Sequence, residues 1–144
     1  MANALISVGN VADPALADAV ERGLTEHAVE SGFAGPERHP LSVALRDADG
    51  SLIGGLIGET FWGWLAVKML WVAKHRRGTG HGAALMARAE EEALKRGCHG
   101  VHLTTLGFQA KHFYEKLGYS LFGSLPDFPP GHTRYYLAKT LPKL

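Results

Sequence analysis

Apolar residues recur along this chain in two rhythms. Leu16, Val20, Leu24 and Ala28 come at every fourth position, the spacing of one helix face. Asp13-Pro14 just ahead supplies an N-cap and a proline at the first helical position, so the pattern predicts a helix to about Glu30. Leu5–Val8, upstream, reads as a short strand, and "SGFAGPERHP" downstream as a loop broken by glycine and proline. Leu41–Arg46 and Leu52–Thr60 then flank Asp47-Ala48-Asp49-Gly50, a turn signal, and predict a hairpin. Trp62–Val72 is apolar almost throughout, as expected of a strand covered on both faces.

The second half alternates helices with strands. Gly80 to about Arg96 is predicted helical, with Gly97 in the C-terminal cap position. Val101–Leu106 is a strand, "QAKHFYEKLG" a short helix closed by Gly118, and Tyr119–Leu125 and Arg134–Leu141 are two further strands. The predicted order is β-α-β-β-β-α-β-α-β-β. This is an α/β chain with a mixed sheet, one strand–helix–strand crossover at its centre, and no repeat or linker. Residues 1–144 therefore read as a single domain.

Composition narrows the function classes. A net charge of +1 lacks the basic stripe that nucleic-acid binding needs, so no nucleic-acid partner is expected. No run is long enough to cross a bilayer, and "MANALISVGN" lacks the basic start of a signal peptide, which makes the cytoplasm the default location. Cys98, the one cysteine, is expected to be a small buried hydrophobe. His99 and His102, three apart on a predicted strand, point to opposite faces, and no other histidine pair has ligand spacing; no metal is expected.

Chemistry concentrates at "HRRGTGHGAAL". A strand running through a glycine-rich turn into a helix is an anion seat, because the first helical turn has unpaired N–H groups and a favourable dipole. Gly78, Gly80 and Gly82 let backbone approach oxygens, Thr79, His81 and Ala83 complete the loop, and Arg76 and Arg77 add fork-shaped charge. Gly78-Thr79-Gly80-His81-Gly82-Ala83 also satisfies G-x-G-x-x-A, the dinucleotide fingerprint. Against a nicotinamide site, "VHLTTLG" lacks the expected acidic residue, and too little chain follows for a doubly wound sheet. No Gly-Lys-Ser/Thr follows either, so a Walker loop is excluded.

Arg77-Gly78-Thr79-Gly80-His81-Gly82 resembles the R/Q-x-x-G-x-G/A signature of the GNAT N-acetyltransferase superfamily, and "LWVAKHR" resembles the strand that leads into it. "QAKHFYEKLGYSLFG" is similar to the second family signature, at Ala110, Tyr114, Lys116, Gly118 and Tyr119. The resemblance covers nearly the whole chain and implies a mostly antiparallel sheet with flanking helices and a splayed central parallel pair, opened by a bulge near Leu70–Val72. It implies acetyl-coenzyme A as co-substrate, with pyrophosphate on the glycine loop and the pantetheine arm lying along Leu70, Trp71 and Val72. One N–H there would polarise the thioester carbonyl. Thr105, Gln109, Phe113 and Lys116 join the cofactor contacts, and Tyr114 takes the general-acid position.

Where many members carry asparagine, seven residues before that tyrosine, this chain has Gly107. The implied reaction is direct attack by a primary amine, of a small molecule or secondarily of a protein or peptide, in a ternary complex. Glu59, His102 or water would serve as base. The first helix and its loop Gly32–Pro40, Trp62–Trp64 and the loop Pro126–His132 are expected around the acceptor. A non-catalytic acyl-coenzyme A sensor and, more remotely, a nicotinamide-binding protein remain the alternatives, and a homodimer stays open.

Overall fold

The computed structural model describes residues 3–143. Its backbone divides into two compact units, residues 1–36 and 37–144. The first holds one helix, α1 (Pro14–Glu30). Asp13 caps it by accepting from the Leu16 N–H at 3.0 Å, and Pro14 occupies the first turn as predicted. No strand forms at Leu5–Val8, contrary to the sequence expectation. An apolar run becomes a strand only in a ladder, and among the described residues none pairs with this segment.

The second unit is a six-stranded sheet with two helices on one face. Its strands are β1 (His39–Arg46), β2 (Leu52–Phe61), β3 (Trp64–Val72), β4 (Gly100–Leu106), β5 (Ser120–Pro126) and β6 (Thr133–Thr140). They lie in the order β1-β2-β3-β4-β6-β5, antiparallel except for the parallel pair β3–β4. α2 (His81–Lys95) makes the crossover between that pair, and α3 (Phe108–Lys116) joins β4 to β5. None of the described helices is long and apolar enough to span a membrane.

Two-residue alternation decides which face is covered. Leu56 of β2, Leu65 and Val67 of β3, Val101 and Leu103 of β4 and Leu137 of β6 point to the helices. They meet Leu85, Met86, Ala89 and Ala93, which line one face of α2. Cys98 is buried there as expected. The opposite face carries Glu59, Phe61, Trp64, Ala66, His102, Thr104, Arg134, Tyr136 and Ala138.

The strand predicted from Trp62 begins at Trp64. Trp62 and Gly63 instead form the tight β2–β3 turn, both with positive φ (49° and 81°), the twist that suits a two-residue hairpin.

Candidate active site

β3 is where the site is built. Its parallel ladder with β4 runs from Trp64–Gly100 to Val67–Leu103 and then stops, although both strands continue. β4 stays paired with β6 as far as Leu106, and β3 with β2 as far as Val72. The two strands thus part into a fork whose inner edges have backbone groups with no ladder partner, and such groups need one.

The bulge that accompanies the parting lies at Lys68, not at Leu70–Val72. Ile57 pairs with Met69 and Gly58 with Val67, leaving Lys68 as the extra residue. Gly58, across from the bulge, lies so close to β3 that an added Cβ would sit 2.5 Å from the Ala66 carbonyl oxygen. A lysine inside "WLAVKMLWV" was the signal: a charged side chain leaves a buried ladder most easily where the pleat is broken. Leu70 and Val72 remain half-buried and Trp71 is exposed along the free part of β3.

The glycine loop closes the top of the fork. A short 3₁₀ turn (Lys74–Arg76) leads from β3 to Gly80, the N-cap of α2, with φ 84°. Gly78 (φ 79°) and Gly80 both adopt the left-handed region and have open space where a Cβ would be. With glycine as cap, no side chain satisfies the first turn of α2, and the N–H groups of His81, Gly82 and Ala83 begin the helix free of a cap. Thr79 stiffens the loop by donating its hydroxyl to the Arg76 carbonyl at 2.9 Å.

The three glycines divide their work. Gly82 is a packing glycine rather than an anion-facing one: a Cβ there would lie 3.1 Å from the Phe113 ring, so its absence lets α3 dock on the start of α2. The arginines also turn inward. Arg77 donates Nε–H to the Val72 carbonyl at 3.0 Å, tying the loop to the end of β3, and Arg76 reaches Asp47 in the β1–β2 turn at 3.8 Å. His81 and Ala83 are half-buried at the helix start.

α3 brings Tyr114 in beside this loop. Phe113, seated on Gly82, meets Tyr114 edge-on at 5.0 Å, and Tyr114 in turn meets Tyr119 at 5.9 Å. Tyr114 is buried, and burial pushes its hydroxyl above the ordinary tyrosine value of 10.0, so it holds its proton at neutral pH. Tyr119 is pushed higher still by burial and by donating to Glu90 Oε2 at 2.8 Å; Lys139 grips the other oxygen of Glu90 at 2.8 Å.

Gly107 explains its own departure from the family pattern. It opens α3 with φ 81° and ψ 152°, a region open essentially to glycine alone, so no asparagine fits this backbone. Thr105 is half-buried on β4, on the α3 side by alternation, whereas Gln109 and Lys116 are exposed at the two ends of α3.

Neither candidate base is simple. The Glu59 carboxylate oxygen Oε1 is shared by Arg38 at 2.8 Å and Lys68 at 3.3 Å, an ion-pair partner rather than a free acceptor. His102 lies on the open face of β4, and burial lowers its pKa below 6.5, leaving a neutral imidazole. His99 precedes β4 instead of belonging to it, so both imidazoles end edge-on to Trp64, at 5.1 and 5.9 Å, rather than on opposite faces. No group of metal-ligating side chains forms among the described residues.

Arg134 was not foreseen. It lies over the Phe128 ring at 4.0 Å and donates to Thr104 Oγ1 at 3.1 Å at the mouth of the fork, while its buried Nε has no partner among the described residues.

A parallel pair forked at a bulge, with a glycine-capped helix above it, is the arrangement that the two sequence signatures imply. The model of the Acetyltransferase (GNAT) family matches residues 14–119. The chain belongs to the GNAT family of acetyltransferases. It is 48% identical over 109 residues to the blasticidin-S acetyltransferase of Streptomyces morookaense, covering 73% of this chain and 80% of that protein. A crystal structure from Agrobacterium tumefaciens, described as an acetyltransferase, superposes with a TM-score of 0.85 at 34% identity, over 96% of this chain and all (100%) of the other. A Bacillus anthracis protein described as a streptothricin acetyltransferase, solved with acetyl coenzyme A, shares the fold (TM-score 0.66, 19% identity, 78% and 68% of the two chains).

Proposed function

We propose that this acetyltransferase moves the acetyl group of acetyl-coenzyme A to the primary amine of a small molecule, by direct attack while both are bound. The observation that carries the reading is the fork: β3 beyond Val67 has a free inner edge, and the strand leads directly into a glycine-capped helix start. Those two features suit the two ends of one ligand. An amide-bearing arm can pair with a strand edge, and a pyrophosphate suits uncapped N–H groups with no Cβ at Gly78 and Gly80. Leu70, Trp71, Val72 and the loop Arg76–Ala83 are proposed as the seat, with Thr105, Gln109, Phe113 and Lys116 along its α3 side. Arg77 acts there as a brace for the loop, through Val72, more than as a direct phosphate ligand.

Bound acetyl-coenzyme A supplies an activated acyl carbon. As the amine nitrogen bonds to that carbon, the carbon–sulfur bond breaks and the sulfur leaves as thiolate. Tyr114 gives its hydroxyl proton to that sulfur, a transfer suited to a phenol that burial keeps protonated. The proton lost by the amine passes to water or to the neutral His102. The 48% identity to a protein named for acetylating blasticidin S supports a small-molecule acceptor over a protein one. The reading takes residues 1–144 as one domain working in the cytoplasm; the family match at residues 14–119 spans both backbone units and supports the first point.

The test is thiol release from acetyl-coenzyme A with a panel of small amines, for the parent chain and for Tyr114→Phe. The parent turns over and the variant loses roughly 100-fold in kcat, with acetyl-coenzyme A affinity nearly unchanged. Tight cofactor binding with no turnover of any amine would instead identify a sensor. Equal rates in parent and variant at every pH would remove Tyr114 from the chemistry.

A further inference from the structure

The open face of the sheet carries a cleft of which the transfer chemistry uses at most His102, at the end nearest the fork. Its walls are Phe61, Trp62, Trp64, His102 and Phe122, with Ala138 in the floor, and it encloses about 450 Å³. Every side chain of this lining is aromatic, an imidazole or a methyl. Trp64 lies over Gly100, where an added Cβ would overlap the indole, and meets the edge of His102 at 5.9 Å. Phe122 is supported from behind by Tyr136 at 6.2 Å. His102 is kept neutral by burial, so no net charge opposes an apolar guest.

Position makes the cleft continuous with the reaction site. His102 and Thr104 are successive residues on the open face of β4, and the β3–β4 ladder ends between them, at Leu103. The cleft therefore stops roughly 7 Å, two strand residues, short of the open fork. A ligand whose amine reaches the fork lays its next several ångströms over these rings.

We propose that this cleft binds a flat aromatic or heteroaromatic ring of the acceptor, joined to the primary amine by a short chain. The inference rests on the acetyltransferase reading and adds the acceptor's class. Rings stacked or edge-on to Trp62, Trp64 and Phe122 gain contacts beyond simple burial, which a saturated ring of equal bulk does not.

The experiment compares phenylpropylamine with its saturated cyclohexyl counterpart, in the parent chain and in two variants. Trp62→Gly removes an indole at a position whose φ of 49° already favours glycine, and Phe122→Ala trims a side chain that is 65% exposed on the sheet edge. The phenyl amine is expected to show a KM about tenfold lower than the cyclohexyl amine in the parent. Each variant should raise the phenyl KM about tenfold and move the cyclohexyl KM by less than about twofold. Tryptophan fluorescence with coenzyme A present gives a readout that needs no turnover: phenylpropylamine quenches the parent at a concentration about tenfold lower than it needs for Trp62→Gly. Acetylation of both amines with equal KM, or a parallel rise for both in the variants, overturns the cleft assignment while leaving the transferase intact. Selective quenching without acetylation of either amine, or of any in the small-amine panel, upholds the cleft and overturns the transferase reading.

Discussion

The two halves of β3 are one strand doing two jobs. From Trp64 to Val67 it is laddered on both sides, by β2 and by β4, and it buries Leu65 completely and Val67 nearly so. From Lys68 to Val72 it keeps β2 and loses β4, and Met69 and Trp71 are exposed at 61% and 49%. The first half stabilises the sheet. The second withholds part of its hydrogen bonding, and in the proposed function what it withholds is the template for a ligand. The switch takes one inserted residue, Lys68, opposite one residue without a Cβ, Gly58. The proposed binding capacity comes from interrupting a ladder, at a point where the rest of the strand is held firmly enough to bear it.

Substitutions in the two halves should therefore fail differently. The largest expected effect is functional and falls at the top of the open half. Gly80→Asp places a carboxylate and a strained left-handed backbone at the anion seat, with no clash with the folded protein, because space around that Cβ is open. Titration calorimetry should show acetyl-coenzyme A affinity falling by about 100-fold or more, with Tm shifted only a few degrees; retained affinity would disprove the anion seat. Next in size is Leu65→Ala in the laddered half, which should cost about 2–5 kcal/mol of stability by urea unfolding and leave the affinity of the folded protein unchanged. An Ala at Trp71 in the open half should cost far less. Equal costs at the two positions would erase the distinction between the halves.

The smallest effect concerns pH. Tyr114 and Tyr119 both titrate higher in the folded chain than the ordinary value of 10.0, so the unfolded chain releases protons first as pH rises. Their stabilisation is complete below pH 10 and is lost progressively above it. Thermal melts from pH 8 to 11 should show this fall, and Tyr119→Phe, which drops the hydrogen bond to Glu90, should flatten it. A variant as steep as the parent would place the alkaline loss elsewhere.

How legible this was depended on how local each feature is. The extents of α2 and β4 and the caps at Asp13 and Gly97 follow from local patterns, and they are readable within a residue or two. The two signatures gave the loop and Tyr114 together because each is a short run with fixed spacing. Leu5–Val8 failed because a strand is a property of two segments and only one was in view. The bulge lies two residues ahead of where the resemblance implies it, since the register of β2 against β3 lies in the pairing and not in either segment.

Spacing groups Gly82 with its neighbours, yet its reason is Phe113, far along the chain. Arg76 and Arg77 read as phosphate ligands from proximity, whereas their partners, Asp47 and the Val72 carbonyl, come from the fold. Arg134 offered no signal, because its neighbours Thr104 and Phe128 meet it only across the sheet.

The fork as a ligand seat can be tested residue by residue through amide hydrogen exchange on the full chain, with and without saturating acetyl-coenzyme A. The account predicts slower exchange within Lys68–Val72 and at His81–Ala83, and no change within Trp64–Val67, whose amides are already laddered. Unchanged exchange in Lys68–Val72 with the ligand bound, or protection confined to the laddered half, would contradict it.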